Sequence, residues 1–63
     1  MMERYLVVGW TTHDERGRDI DAASSIDEAA KIATSWWAAD LRLVAVAVFD
    51  RHDGSVVFRI DGD

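Results

Sequence analysis

The run Leu41-Arg42-Leu43-Val44-Ala45-Val46-Ala47-Val48-Phe49 constrains this chain more than any other segment. It is too rich in β-branched residues for a helix and reads as a strand. Side chains of a strand alternate between its two faces, and nearly every position here is apolar, so both faces call for burial. Leu43, Ala45, Ala47 and Phe49 share one face, and Val44, Val46 and Val48 share the other.

The chain has 63 residues, enough for a single α+β domain spanning residues 1–63. A domain of this size buries only about 60% of the surface its unfolded chain exposes. Small folds are commonly reinforced by disulfides, a metal or association. The sequence has no cysteine and only two histidines, His13 and His52, so association is the expected reinforcement. The formal net charge of -5 disfavours direct nucleic-acid binding, which needs clustered Lys and Arg. It suits a basic protein partner. No segment approaches the ~20 apolar residues of a membrane span. The apolar run near the start also lacks a signal-peptide cleavage pattern. A cytoplasmic location without membrane contact is the resulting expectation.

Tyr5-Leu6-Val7-Val8-Gly9-Trp10-Thr11-Thr12 predicts a first strand, with Gly9 marking a bulge or a close approach. A turn over residues 13–17 leads to a short charged edge strand from Arg18 to Ala23. Ser25-Ile26-Asp27-Glu28 has the form of a capping box and opens a helix running to about Ala39. Ile26, Ala29, Ala30, Ile32, Ala33, Trp36 and Trp37 fall on its apolar arc. The long strand from Leu41 follows, then a hairpin at Asp50-Arg51-His52-Asp53-Gly54 and a last strand from Ser55 to Ile60.

The expected fold is therefore a small β-β-α-β-β sheet of three or four strands, largely antiparallel, with one helix packed on one face. Without the second strand the order reduces to β-α-β-β. The small Ala45 and Ala47 make room for a helix indole, so the alanine-bearing face is assigned to the helix. Val44, Val46 and Val48 are then left to a partner, and a homodimer is expected. Trp10, Trp36 and Trp37 complete the expected apolar interface, since Trp is enriched at binding hot spots.

The first hairpin carries Asp14, Glu15, Asp19 and Asp21, an acidic edge suited to a basic partner. His13-Asp14 and His52-Asp53 would form a metal site only if both turns met at one end of the sheet. Asp19 with Asp21, and Asp61 with Asp63, are same-face carboxylate pairs by simple alternation. None has the spacing of a calcium loop, and there is no Gly-rich phosphate cradle. No catalytic residue, metal or cofactor is therefore assigned. A domain this small also has little volume for an internal ligand pocket.

The segment from Tyr5 through Ala33, a hairpin followed by Ser-Ile-Asp-Glu-Ala-Ala, resembles the start of antitoxin domains with a partly built ribonuclease H fold. It lacks their Pro- and Gly-rich segment between strand and helix. That resemblance implies a regulatory module that neutralises a toxin. The residues themselves favour a non-catalytic protein-binding module, such as a phage or mobile-element inhibitor of a nucleic-acid-binding machine in the manner of an anti-CRISPR protein. A small enzyme or ligand-binding dimer with an intersubunit pocket is the remaining alternative.

Overall fold

The computed structural model describes residues 3–13 and 15–62. Strand β1 spans Tyr5–Thr11, β2 Arg18–Ala23, helix α1 Ile26–Ala39, β3 Leu43–Asp50 and β4 Val56–Asp61. The strands form one antiparallel sheet in the order β2-β1-β3-β4, and α1 packs on one face of it. This is the expected α+β arrangement with all four strands present.

The helix begins where the capping residues place it. Ser25 has extended backbone and its Oγ accepts from the Glu28 amide at 3.2 Å. Glu28 does not complete the box on Ser25; its carboxylate accepts from Ser24 Oγ at 3.4 Å. Asp27 and Glu28 lie in the first turn, against the positive end of the helix dipole. At the other end the Asp40 amide donates to the Trp36 carbonyl, and Asp40 Oδ1 accepts from the Arg42 amide at 3.0 Å. This tight exit uses Leu41 and Arg42 as turn residues, so β3 starts at Leu43 and Leu41 stands 95% exposed. Gly17 and Gly54 adopt φ of 76° and 77°, the left-handed conformation that both turns need.

The core lies between α1 and the sheet. Tyr5, Val7, Ala23, Ala29, Ala33, Val46 and Val48 are buried together. Ile20, Ile32, Trp37, Leu43, Val57 and Phe58 pack around them. Val46 and Val48 are 0% exposed beneath the helix. The assignment of faces is thus the reverse of that expected from sequence. The valines are covered by the chain's own helix, and Ala45, Ala47 and Phe49 face away from it. The cause is the helix surface: its buried residues are Ala29 and Ala33, small enough for α1 to approach closely and fit the valines.

Three register shifts re-aim side chains. One lies between Trp10 and Thr11 on β1, where Trp10 pairs with Ala45 and Thr11 with Leu43, leaving Val44 as the extra residue. Val44 is therefore turned out of the valine row and is 42% exposed. Leu43 instead joins Ile20 over Gly9, where a Cβ would lie 2.9 Å from Leu43 Cδ2 and 3.1 Å from Ile20 Cδ1. Gly9 thus marks a close approach.

A second shift puts Asp21 opposite Val7 and Asp19 opposite Val8, so these carboxylates occupy different faces. The third leaves Val57 as the extra residue between Val56, opposite Phe49, and Phe58, opposite Val48.

Candidate protein-binding surface

The face of the sheet away from α1 carries Leu6, Val8 and Trp10 from β1 and Ala45, Ala47 and Phe49 from β3, paired across the ladder. The indole of Trp10 reaches the ring of Phe49, with centroids 6.3 Å apart and planes tilted by 55°. Since Ala47 lies between Ala45 and Phe49, the two rings span its methyl group. This explains how Ala47 and Val8 are buried on a face without a helix. The β1–β2 turn leans over the same side: a Cβ on Gly17 would lie 2.6 Å from Trp10 Cε2 and 2.8 Å from Val8 Cγ1. The small β3 residues accommodate an indole from the neighbouring strand instead of one from the helix.

On the β4 side of β3 this shelter stops. A groove of about 430 Å³ has Ala45 and Ala47 in it and is bordered by Trp10, Val44, Phe49, Val56 and Arg59. Val56 is 52% exposed. On the other side of Val44 a solvent-open cleft of about 680 Å³ lies between the C-terminal end of α1 and the strand ends. Its lining includes Trp36, Leu41, Leu43 and Ile20, with His13, Arg18 and Arg42 among the polar residues. The cleft is open to solvent and is not a cavity within the core, so the small internal volume expected of a 63-residue chain does not bear on it. Val44 and Thr11 border both hollows, so Leu41, Val44 and Val56 lie along one surface that runs from Trp36 to β4.

Ion pairs flank that surface. Asp40 binds Arg42 through both carboxylate oxygens, at 3.1 and 3.2 Å. These bonds and the Arg42 amide hold the Asp40 carboxyl below its usual range. Arg59 Nε meets Asp61 Oδ2 at 3.0 Å on the β4 side. An apolar centre with a charged border is the usual anatomy of a protein-binding patch.

The residues expected at the interface separate into distinct settings. Trp10 lies on the outer face. Trp37 packs against the helix-side core and does not cover Ala45 and Ala47. Trp36 is 36% exposed, and its Nε1 donates to Asp21 Oδ2 at 3.3 Å. Val44 belongs to the patch, while Val46 and Val48 are core. Leu41 and Val56 are not among the residues expected at the interface, although Leu41 stands just after the helix, where an apolar turn residue is a signal of contact.

The acidic edge is also divided. Glu15 is exposed in the turn and Asp19 is exposed on the outer face. Asp21 is engaged on the helix side by Trp36 and by the Ala22 amide at 2.8 Å. Asp14 lies outside the described residues, as does Asp63, so the Asp61–Asp63 pair has no structural description. The Asp19–Asp21 pair is split by the bulge.

The two His-Asp turns cannot converge. The β1–β3 ladder pairs Tyr5 with Asp50 at one end and Thr11 with Leu43 at the other, placing His52 and His13 at opposite ends of the sheet. Among the described residues no three His, Cys, Asp or Glu side chains are grouped to hold a metal.

At the His52 end, Asp50 is buried and accepts Arg4 Nε at 3.2 Å and Nη2 at 3.0 Å. It also accepts the His52 amide at 2.9 Å. The Arg4 hydrogen bonds first, then the His52 amide, hold its carboxyl below the ordinary value of 3.8, outweighing the opposing effect of burial. Asp53 is lowered by bonds from the Ser55 hydroxyl and amide, at 2.7 and 2.9 Å. These contacts fix the β3–β4 turn.

No helix among the described residues is long and apolar enough to cross a membrane. Compared with known proteins, the chain matches no family model, no curated protein and no solved structure.

Proposed function

We propose that this protein is a non-catalytic protein-binding module whose contact surface is the apolar stretch centred on Val44. The observation that carries this reading is the continuity of exposed Leu41, Val44 and Val56 across two hollows, flanked by the Asp40–Arg42 and Arg59–Asp61 ion pairs. Apolar side chains at such a centre supply affinity by leaving water, at ~25 cal/mol per Å². The net charge of -5, with Glu15 and Asp19 exposed on the first hairpin, favours encounter with a basic partner.

A basic nucleic-acid-binding protein is the partner class that fits both features. In this reading the module, carried by a phage or mobile element, occupies a surface its target needs for DNA or RNA. Binding kinetics of the immobilised protein against candidate nucleic-acid-binding proteins test it. Val44→Asp should abolish retention through faster dissociation. Glu15→Gln with Asp19→Asn should slow association and reduce its salt dependence. A target that holds this protein and its nucleic acid together would contradict the inhibitory reading. Unchanged binding by Val44→Asp would contradict the surface.

A further inference from the structure

The sheet has two outer edges, and they are built differently. Edge strand β2 carries Arg18, Asp19 and Asp21 and is interrupted by a bulge at Ile20, two devices that discourage pairing with another strand. Edge strand β4, Val56–Asp61, is mostly apolar. Its irregularity is confined to Val57, so the stretch from Phe58 onward is regular: Phe58, Arg59, Ile60 and Asp61 pair in sequence with Val48, Ala47, Val46 and Ala45.

The Gly62 amide continues that ladder by donating to the Val44 carbonyl at 3.2 Å. In an antiparallel ladder the backbone groups of alternate residues point to opposite sides. With Gly62 turned toward β3, Ile60 and Phe58 turn the same way, and the N–H and C=O groups of Arg59 and Asp61 point outward from the sheet.

The regular part of the edge, 58–62, has Ile60 at its centre. A two-fold axis through Ile60 would place a second β4 antiparallel to the first, with Arg59 opposite the second copy's Asp61 and Asp61 opposite its Arg59. Both are hydrogen-bonded positions, so each pair would exchange two backbone bonds. Ile60 would meet its own copy on the helix side, and Gly62 would leave room for the second copy's Phe58. A shift by one residue in each chain, centring the axis on Arg59, would instead set Arg59 against itself. The edge is complementary to itself in charge in one register and repulsive in the next.

We infer that a second copy of this chain adds to the β4 edge about Ile60, joining two sheets into one of eight strands. The contact is short and belongs to the weak, reversible class. It engages Arg59 and Asp61 at the border of the Val44 surface and leaves Trp36 and Leu41, at the other end of that surface, uncovered.

Sedimentation over a concentration series, with amide hydrogen exchange by NMR, decides the matter. The parent should associate as concentration rises, with exchange at the Arg59 and Asp61 amides slowing in step. Arg59→Asp and Asp61→Arg each replace both cross-strand attractions with repulsions and should weaken association about tenfold or more. The double swap Arg59→Asp/Asp61→Arg should restore it. Thermal melts of the single variants, expected to stay near the parent, exclude unfolding as the cause. A parent monomeric throughout the series would overturn the inference. So would association without protection of those two amides, or a double swap that fails to recover.

Discussion

Asp50 grips Arg4 with both carboxylate oxygens, at 3.2 and 3.0 Å, and so ties the segment before β1 to the end of β3. The Arg51 amide reinforces the tie by donating to the Arg4 carbonyl at 2.8 Å. Because this arrangement lowers the Asp50 carboxyl in the folded state, its contribution to stability is present above the ordinary value of 3.8 and is lost as pH falls through the lower folded value. Asp40 and Asp53 are shifted in the same direction and add to the same acid window. The melting temperature should therefore be nearly flat above about pH 5 and fall steeply below pH 4. Asp50→Asn should lower the melting temperature at pH 7 and flatten the acid slope. An unchanged slope in that variant would show that the tie contributes nothing.

The two left-handed glycines separate backbone strain from crowding. A methyl group at Gly54 would meet nothing within 4 Å, so Gly54→Ala should cost about 1 kcal/mol from backbone conformation alone. A methyl group at Gly17 would collide with Trp10 and Val8, so Gly17→Ala should cost that amount plus ~1–3 kcal/mol of overpacking. Urea unfolding of both variants checks the difference. Trp10 fluorescence should shift in Gly17→Ala alone.

Close approach of α1 to the sheet depends on its small residues. Ala33 is fully buried, so Ala33→Leu should destabilise by ~1–3 kcal/mol as the helix is pushed outward. Ala38 is exposed, and Ala38→Leu should stay within about 0.5 kcal/mol of the parent. Equal effects in denaturant unfolding would contradict the packing described here.

Trp36 and Asp21 form an exposed bond between α1 and β2. Trp36→Phe keeps the ring contact and removes the donor, and should cost no more than about 1 kcal/mol. An Asp21→Asn variant should leave the fold intact for the same reason. A larger loss in thermal unfolding would mean that Asp21 also anchors β2.

The element order was legible because each segment carries its own local signal. The Ser25 cap, the Gly17 and Gly54 turns and the β-branched runs of β1, β3 and β4 all act within a few residues. The choice of face was not legible. Alternation groups Val46 with Val48 and Ala45 with Ala47, but it does not say which group meets the helix. That choice depended on fitting Ala29 and Ala33 against the valines, and Trp10 beside Phe49 across the outer face, contacts between residues far apart in sequence.

The bulges were equally hidden. No local residue marks Val44, Ile20 or Val57 as extra, yet these shifts free Val44 from the core and send Asp19 and Asp21 to opposite faces. The candidate surface is thus half visible: the sequence marks Trp10, Trp36 and Val44, while Trp37, Val46 and Val48 belong to the helix-side core and Leu41 and Val56 emerge only with the register.

Val44 and Val46, two residues apart on β3, have opposite fates. Thermal unfolding of Val44→Asp beside Val46→Asp tests this most directly. Val46 is sealed beneath α1, so an aspartate there buries an unpaired charge and should abolish cooperative folding. Val44 borders solvent, so Val44→Asp should melt within a few degrees of the parent. A Val44→Asp variant that unfolds while Val46→Asp melts normally would reverse the two faces and remove the basis for the proposed surface.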